Sequence, residues 1–113
     1  MKQTARVIDQ PAKAPTEADV MKAVKKHLKT HGWYCYRNQQ NIGSHPGISD
    51  LTAIRAGEVL WIECKSPKWK EKREEVRSKT ERAQYEFERR IIEAGGIYLR
   101  VQSIYGLDSV IGG

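Results

Sequence analysis

The stretch Val59-Leu-Trp-Ile-Glu-Cys-Lys65 constrains this chain more than any other. Ala56-Gly57-Glu58 before it reads as a tight turn, and Pro67 after it cannot continue a ladder, so the seven residues form a strand. Side chains alternate across a strand, so Glu63 and Lys65 point to the same face, among Leu60, Trp61, Ile62 and Cys64. A charged pair in such a setting loses hydration and needs compensating partners. Any fold for this chain must supply them.

The flanking patterns supply the frame. Residues 1–15, with Pro11 and Pro15 and no sustained period, read as a flexible N-terminal arm. Thr16 caps a helix beginning at Glu17, with Asp19 at its positive end, and Val20, Met21, Val24 and Leu28 recur at helical spacing until Gly32. Trp33 to Arg37 is an aromatic-rich strand, and 38–47 is a loop. Asp50 to Arg55 is a second strand that pairs with Val59 to Lys65 as a hairpin. Lys68 to Lys79 is a charged run that starts as a loop. Ser78 and Glu81 form a capping box for a helix to about Ala94, closed by Gly95-Gly96. Ile97 to Val101 is a fourth strand, and Ser103 to Ile111 is expected to be one short terminal helix. The order predicts a single α/β domain over 16–113, a mixed four-stranded sheet flanked by helices.

Charge narrows the partner. Twenty Lys and Arg against fourteen Asp and Glu give a formal net charge of +6 and a pI near 9.4. That excess favours a polyanion, since cations that neutralise phosphates release condensed counterions. No helix joins a basic face to a large exposed apolar face, which argues against a membrane surface, and no run of about eighteen apolar residues exists to span one. No signal-peptide pattern is visible, and Cys35 and Cys64 fall on strands. A disulfide is not expected, and the expected location is a reducing cytoplasm.

Asp50 starts the strand beside Glu63, where the two carboxylates would repel and one would stay protonated. A divalent cation removes that penalty. Magnesium suits such oxygen ligands: Asp50, Glu63 and the backbone carbonyl of Cys64. The ion would acidify a bound water and polarise a phosphate oxygen, and Lys65 would orient the water or stabilise developing charge. The ordinary alternative is a cross-strand salt bridge without chemistry. The apolar strand and the Gly-rich approach to Asp50 favour the metal. Gln84, on the stripe of Phe87 and Ile91, and Glu17, on the stripe of Val20, Met21 and Val24, both break an apolar pattern. Gln84 can hold water or phosphate. Glu17 is either a direct or outer metal ligand or a first-turn acid serving the helix dipole.

Together these elements resemble the VRR-NUC (virus-type replication-repair nuclease) branch of the PD-(D/E)XK nuclease superfamily. Gly47-Ile48-Ser49-Asp50-Leu51 is similar to its Gly-x-x-Asp element, and Ile62-Glu63-Cys64-Lys65-Ser66-Pro67 to its Glu-x-Lys strand. Gln84 is similar to its helical glutamine and Glu17 to the acid of its first helix, over residues 16–102 in all. Ser49 stands where proline often precedes the aspartate, a position without a catalytic group. The resemblance implies a restriction-endonuclease-like core, with Mg²⁺ or Mn²⁺ on Asp50, Glu63 and the Cys64 carbonyl, and with Lys65 and Gln84 assisting. Small stand-alone members occur in phages and resemble homodimeric endonucleases that resolve branched DNA such as four-way (Holliday) junctions. For a phage protein the compartment would be the host-cell cytoplasm. The expected function is therefore a metal-dependent deoxyribonuclease. The alternative is a non-catalytic basic DNA-binding module with a vestigial site.

Candidate nucleic-acid contacts are Arg37 and Asn38 at the head of the amide-rich loop, and Lys68, Trp69 and Lys70, where an aromatic lies among cations. The competing reading for Trp69 is a ring tucked onto the domain. His27, His31 and His45 form no transition-metal motif; His27 and His31 suit a helix C-terminus.

Overall fold

The computed structural model describes residues 14–111. The expected arm at 1–15 lies outside them, apart from residues 14 and 15. Helix α1 (Glu17–Thr30) opens with a full capping box: Thr16 Oγ1 accepts from the Asp19 amide at 3.1 Å, and Asp19 Oδ2 accepts from the Thr16 amide at 2.9 Å. Its buried stripe is Val20, Val24 and Leu28. Strand β1 (Tyr34–Arg37) follows. Trp33, expected to open that strand, instead precedes it as a buried plug, its ring 4.6 Å from the Arg55 guanidinium carbon.

Strands β2 (Leu51–Arg55) and β3 (Glu58–Cys64) form the expected hairpin. Its two turn residues, Ala56 and Gly57, both have positive φ, +50° and +82°, matching the right-handed twist of the strands. Helix α2 (Lys79–Glu93) has the predicted Ser78–Glu81 capping box and carries the chain back to strand β4 (Ile97–Val101). The sheet order is β1-β2-β3-β4, antiparallel except for the parallel β3–β4 pair. A parallel pair requires a crossover, and α2 is that crossover. The fold is thus the α/β arrangement expected, a mixed four-stranded sheet with helices on it.

The charged run after β3 starts as a loop, as expected, and then makes one 3₁₀ turn, Glu74–Val76. One expectation is corrected. The terminal helix is broken into a 3₁₀ turn, Ile104–Gly106, and a single α turn, α3 (Asp108–Ile111), joined by Leu107. Leu107 and Ile111 are fully buried against the α1 stripe and the sheet, and the break lets both reach that core. Asp108 accepts from His27 Nε2 at 2.8 Å, tying α3 to α1.

The two sides of the sheet differ. Leu51, Ala53, Leu60, Ile62, Cys64 and Val101 pack with α1 and α3 into the main core. On the opposite side α2 buries Phe87, which meets Tyr98 edge-on at 6.2 Å. No helix among the described residues is long and apolar enough to cross a membrane.

Candidate active site

The register pairs Leu51 with Ile62, so Asp50, the residue just before β2, comes opposite Glu63. Both carboxylates are buried, Asp50 at 3% and Glu63 at 2% exposure. Asp50 Oδ2 accepts the Cys64 amide at 2.7 Å, which fixes the aspartate across the end of the hairpin. Glu63 Oε2 lies 3.5 Å from Lys65 Nζ, while Oε1 has no hydrogen-bond partner among the described residues. Burial, and next the Asp50 charge, push the Glu63 carboxyl up to about 7, against the opposing pull of Lys65. The repulsion expected from the sequence is therefore present in the geometry.

Lys65 lies just beyond β3, anchored by its amide to the Val101 carbonyl at 2.9 Å. Its ammonium also donates to Gln84 Oε1 of α2 at 3.1 Å. The glutamine that breaks the apolar stripe of α2 is thus held against the Glu-x-Lys strand. Gly47 makes this approach feasible: it has φ +72°, and a Cβ there would lie 2.0 Å from the Ala83 carbonyl oxygen and 2.7 Å from the Gln84 amide. The loop backbone presses directly on α2, and three residues later the chain reaches Asp50. A groove of about 850 Å³ opens between this loop and the start of α2, lined by Gln40, Ile48, Lys79 and Gln84 among others.

The donor set fits a hard divalent cation on one observation: two buried carboxylates face each other and one keeps an oxygen without a partner. Asp50, Glu63 and the Cys64 carbonyl are the groups available. The Cys64 side chain itself packs in the core, where burial pushes its thiol up, so it is no thiolate ligand. Glu17 is exposed at the start of α1, although its charge is felt by Glu63. Among the described residues no three His, Cys, Asp or Glu side chains gather closely enough to hold an ion.

The remaining expected residues are scattered around this centre. Arg37 is exposed at the end of β1, opposite Leu51. Asn38 is a strut: its amide nitrogen donates to the Ser49 carbonyl at 3.0 Å, its side chain meets Thr52 Oγ1, and its backbone amide donates to the Asp50 carbonyl at 2.8 Å. Those bonds hold the loop that carries Asp50. Lys68 and Lys70 are exposed, whereas Trp69 is half-buried, its ring 5.7 Å from Lys65 Nζ.

Two residues at the site escaped the sequence reading. Arg100, opposite Glu63 on β4, pairs with Glu88 at 3.0 Å and lies 4.4 Å from the Tyr85 ring, 5.3 Å from Tyr98 and 5.8 Å from Trp69. Its Nε and Nη2, and the Tyr98 hydroxyl, are buried without partners among the described residues. The only available signal was the alternation Tyr98-Leu99-Arg100, which puts a phenol and a guanidinium on the Glu63 side.

No family model matches the chain, and no curated protein matches it in sequence. Among solved structures, one titled "VRR_NUC domain" superposes with a TM-score of 0.65 at 21% identity, covering 88% of this chain and 97% of that one. At that identity the likeness concerns the fold, and it extends over nearly the whole of both chains. This chain has the restriction-endonuclease-like α/β fold of a VRR_NUC domain.

Proposed function

We propose that the protein is a metal-dependent deoxyribonuclease of the VRR-NUC type, acting on branched or otherwise structured DNA as a homodimer. The observation that carries this reading is the buried Asp50–Glu63 pair with its unpartnered oxygen, beside an ammonium shared by Glu63 and Gln84. A structural salt bridge would need one acid; here a second buried acid adds repulsion that must be relieved by a proton or by a cation, and a divalent cation lets both acids stay ionised. The likeness to a VRR_NUC domain supports the same reading.

Asp50, Glu63 and the Cys64 carbonyl would hold Mg²⁺ or Mn²⁺, with Glu17 as an outer ligand. When bound, such an ion supplies Lewis acidity that acidifies water and polarises a phosphate oxygen. The protein's own groups do the rest. Asp50 is oriented by the Cys64 amide, and Glu63 by Lys65. Gln84 fixes the Lys65 ammonium so that a remaining N–H can meet the phosphoryl oxygen as charge builds there. In the net reaction a water loses a proton and its oxygen bonds to phosphorus. One P–O ester bond breaks, and the departing oxygen takes up a proton.

The test incubates pure protein with labelled duplex, flap and four-way-junction DNA, with Mg²⁺ or with EDTA. Metal-dependent cutting, strongest on the junction and absent in Asp50→Ala and Glu63→Ala, is expected. DNA binding without a metal-dependent product would favour the non-catalytic module. Cutting retained in Glu63→Ala would refute the assignment of the site. A monomer in sedimentation at working concentration would remove the homodimer.

A further inference from the structure

Helix α1 turns Val20, Val24 and Leu28 to the core, and its outer face carries Lys22, Lys25, Lys26 and Lys29. Offsets of three, four and seven residues place these four on one side of the helix. All four are exposed, and none forms an ion pair among the described residues. With Arg37 they line a groove of about 530 Å³ alongside the edge strand β1. Glu17 lines the same groove, and its charge reaches Glu63. Arg37 pairs in register with Leu51, the neighbour of Asp50, and also lines a second cleft with Asn38, Gln39, Gln40 and Asn41. The basic row therefore runs toward the catalytic end of the sheet.

We propose that this groove seats the sugar-phosphate backbone of a duplex arm next to the cut, a reading that rests on the nuclease assignment. Lys22 to Lys29 span roughly 10 Å at about 1.5 Å per residue, close to the rise of three base pairs at about 3.4 Å each along the duplex axis. Lysines on a helix face act as point charges that fix register without reading sequence, which suits a substrate defined by shape. Four adjacent ammonium groups repel one another in the free protein, and a polyanion relieves that repulsion. On the outer face of α2, by contrast, Arg89 and Arg90 are held by Glu86 and Glu93.

The experiment measures junction and duplex binding by the cleavage-inactive Glu63→Gln protein at several salt concentrations, with and without K22Q/K25Q/K26Q/K29Q. Loss of four phosphate contacts is expected to flatten the slope of log K against log salt by about 3–4, with binding weakened at least ~30-fold near 0.1 M salt. In otherwise wild-type enzyme the same four changes should raise KM and leave kcat unchanged. Arg89→Gln/Arg90→Gln, which removes two charges from α2, should scarcely move the slope. An unchanged slope in the quadruple variant, or an equal loss per charge in the α2 pair, overturns the groove while leaving the nuclease assignment standing. Absence of both binding and cutting by the wild-type protein overturns both.

Discussion

Helices α1 and α2 begin alike and end in different roles. Each opens with a capping box and each lays an apolar stripe on one side of the same sheet. Helix α2 spends its inward polar residue, Gln84, on Lys65, and its outer Arg89 and Arg90 on Glu86 and Glu93. Helix α1 brings only its exposed first-turn Glu17 within electrostatic reach of the Asp50–Glu63 pair, and among the described residues its outer lysines have no acid partners. On the proposed function, the two helices divide the labour across a single sheet: chemistry beneath α2, adhesion to the substrate along α1. Changes on the α2 side should lower turnover, and changes on the α1 side should lower affinity.

The largest effect expected is at the centre of that division. Glu63→Gln should cut the rate of cleavage by roughly 10³-fold, about 4 kcal/mol of transition-state stabilisation, while DNA affinity stays close to wild type. The same change removes a repelling charge, so in EDTA above pH 7 the variant should melt at a higher temperature than wild type. A parallel loss of rate and affinity would erase the contrast between the two sides.

Gly47→Ala comes next. The positive φ and the Ala83 carbonyl in its way should cost about 2–4 kcal/mol in denaturant unfolding, and should free Asp50 from its place with a matching fall in kcat.

The third is a pH effect with a definite sign. In metal-free protein Glu63 titrates near 7, against 4.5 for an ordinary glutamate. Between those values the folded state holds a proton that the unfolded state has lost, so stability falls as pH rises. It is fully present below 4.5 and is lost through 7, at a slope of about 1.4 kcal/mol per pH unit. Denaturant melts in EDTA across that window check it. Mg²⁺ at about 100 times its Kd should return roughly 2.7 kcal/mol.

Gln84→Ala should be milder, lowering kcat about 10-fold through a less ordered Lys65, with little change in KM. Least of all, Glu86→Gln on the outer face of α2 should leave the melting temperature and the salt slope unmoved, since its ion pairs lie in solvent.

Much of this arrangement is written in local signals. The capping residues Thr16 and Ser78 mark both helix starts, and Ala56-Gly57 marks the hairpin. Glu63, Lys65 and Gln84 are visible because each interrupts an apolar pattern, and a polar residue facing a core must have a reason. What stays hidden depends on distant partners. Asn38 looks like a free amide until Ser49 and Thr52 are seen to occupy it. Arg100 looks like an ordinary strand arginine until three aromatic rings surround it. The split of the terminal helix at Leu107 follows from the space left under α1, which no local period encodes. The α1 lysines were legible at helical spacing all along, but on an outer face such a row reads as plain solvation until a groove is found beside it.

The loop between β1 and β2 is clamped at its base and open at its tip. At Gly47 no atom can be added without displacing the backbone of α2, whereas Ile42, five residues earlier, is wholly exposed. A lineage exploring new substrates can therefore lengthen, shorten or rewrite the tip near Ile42 while the aspartate stays aimed. Diversification and conservation of geometry would then coexist within a dozen residues.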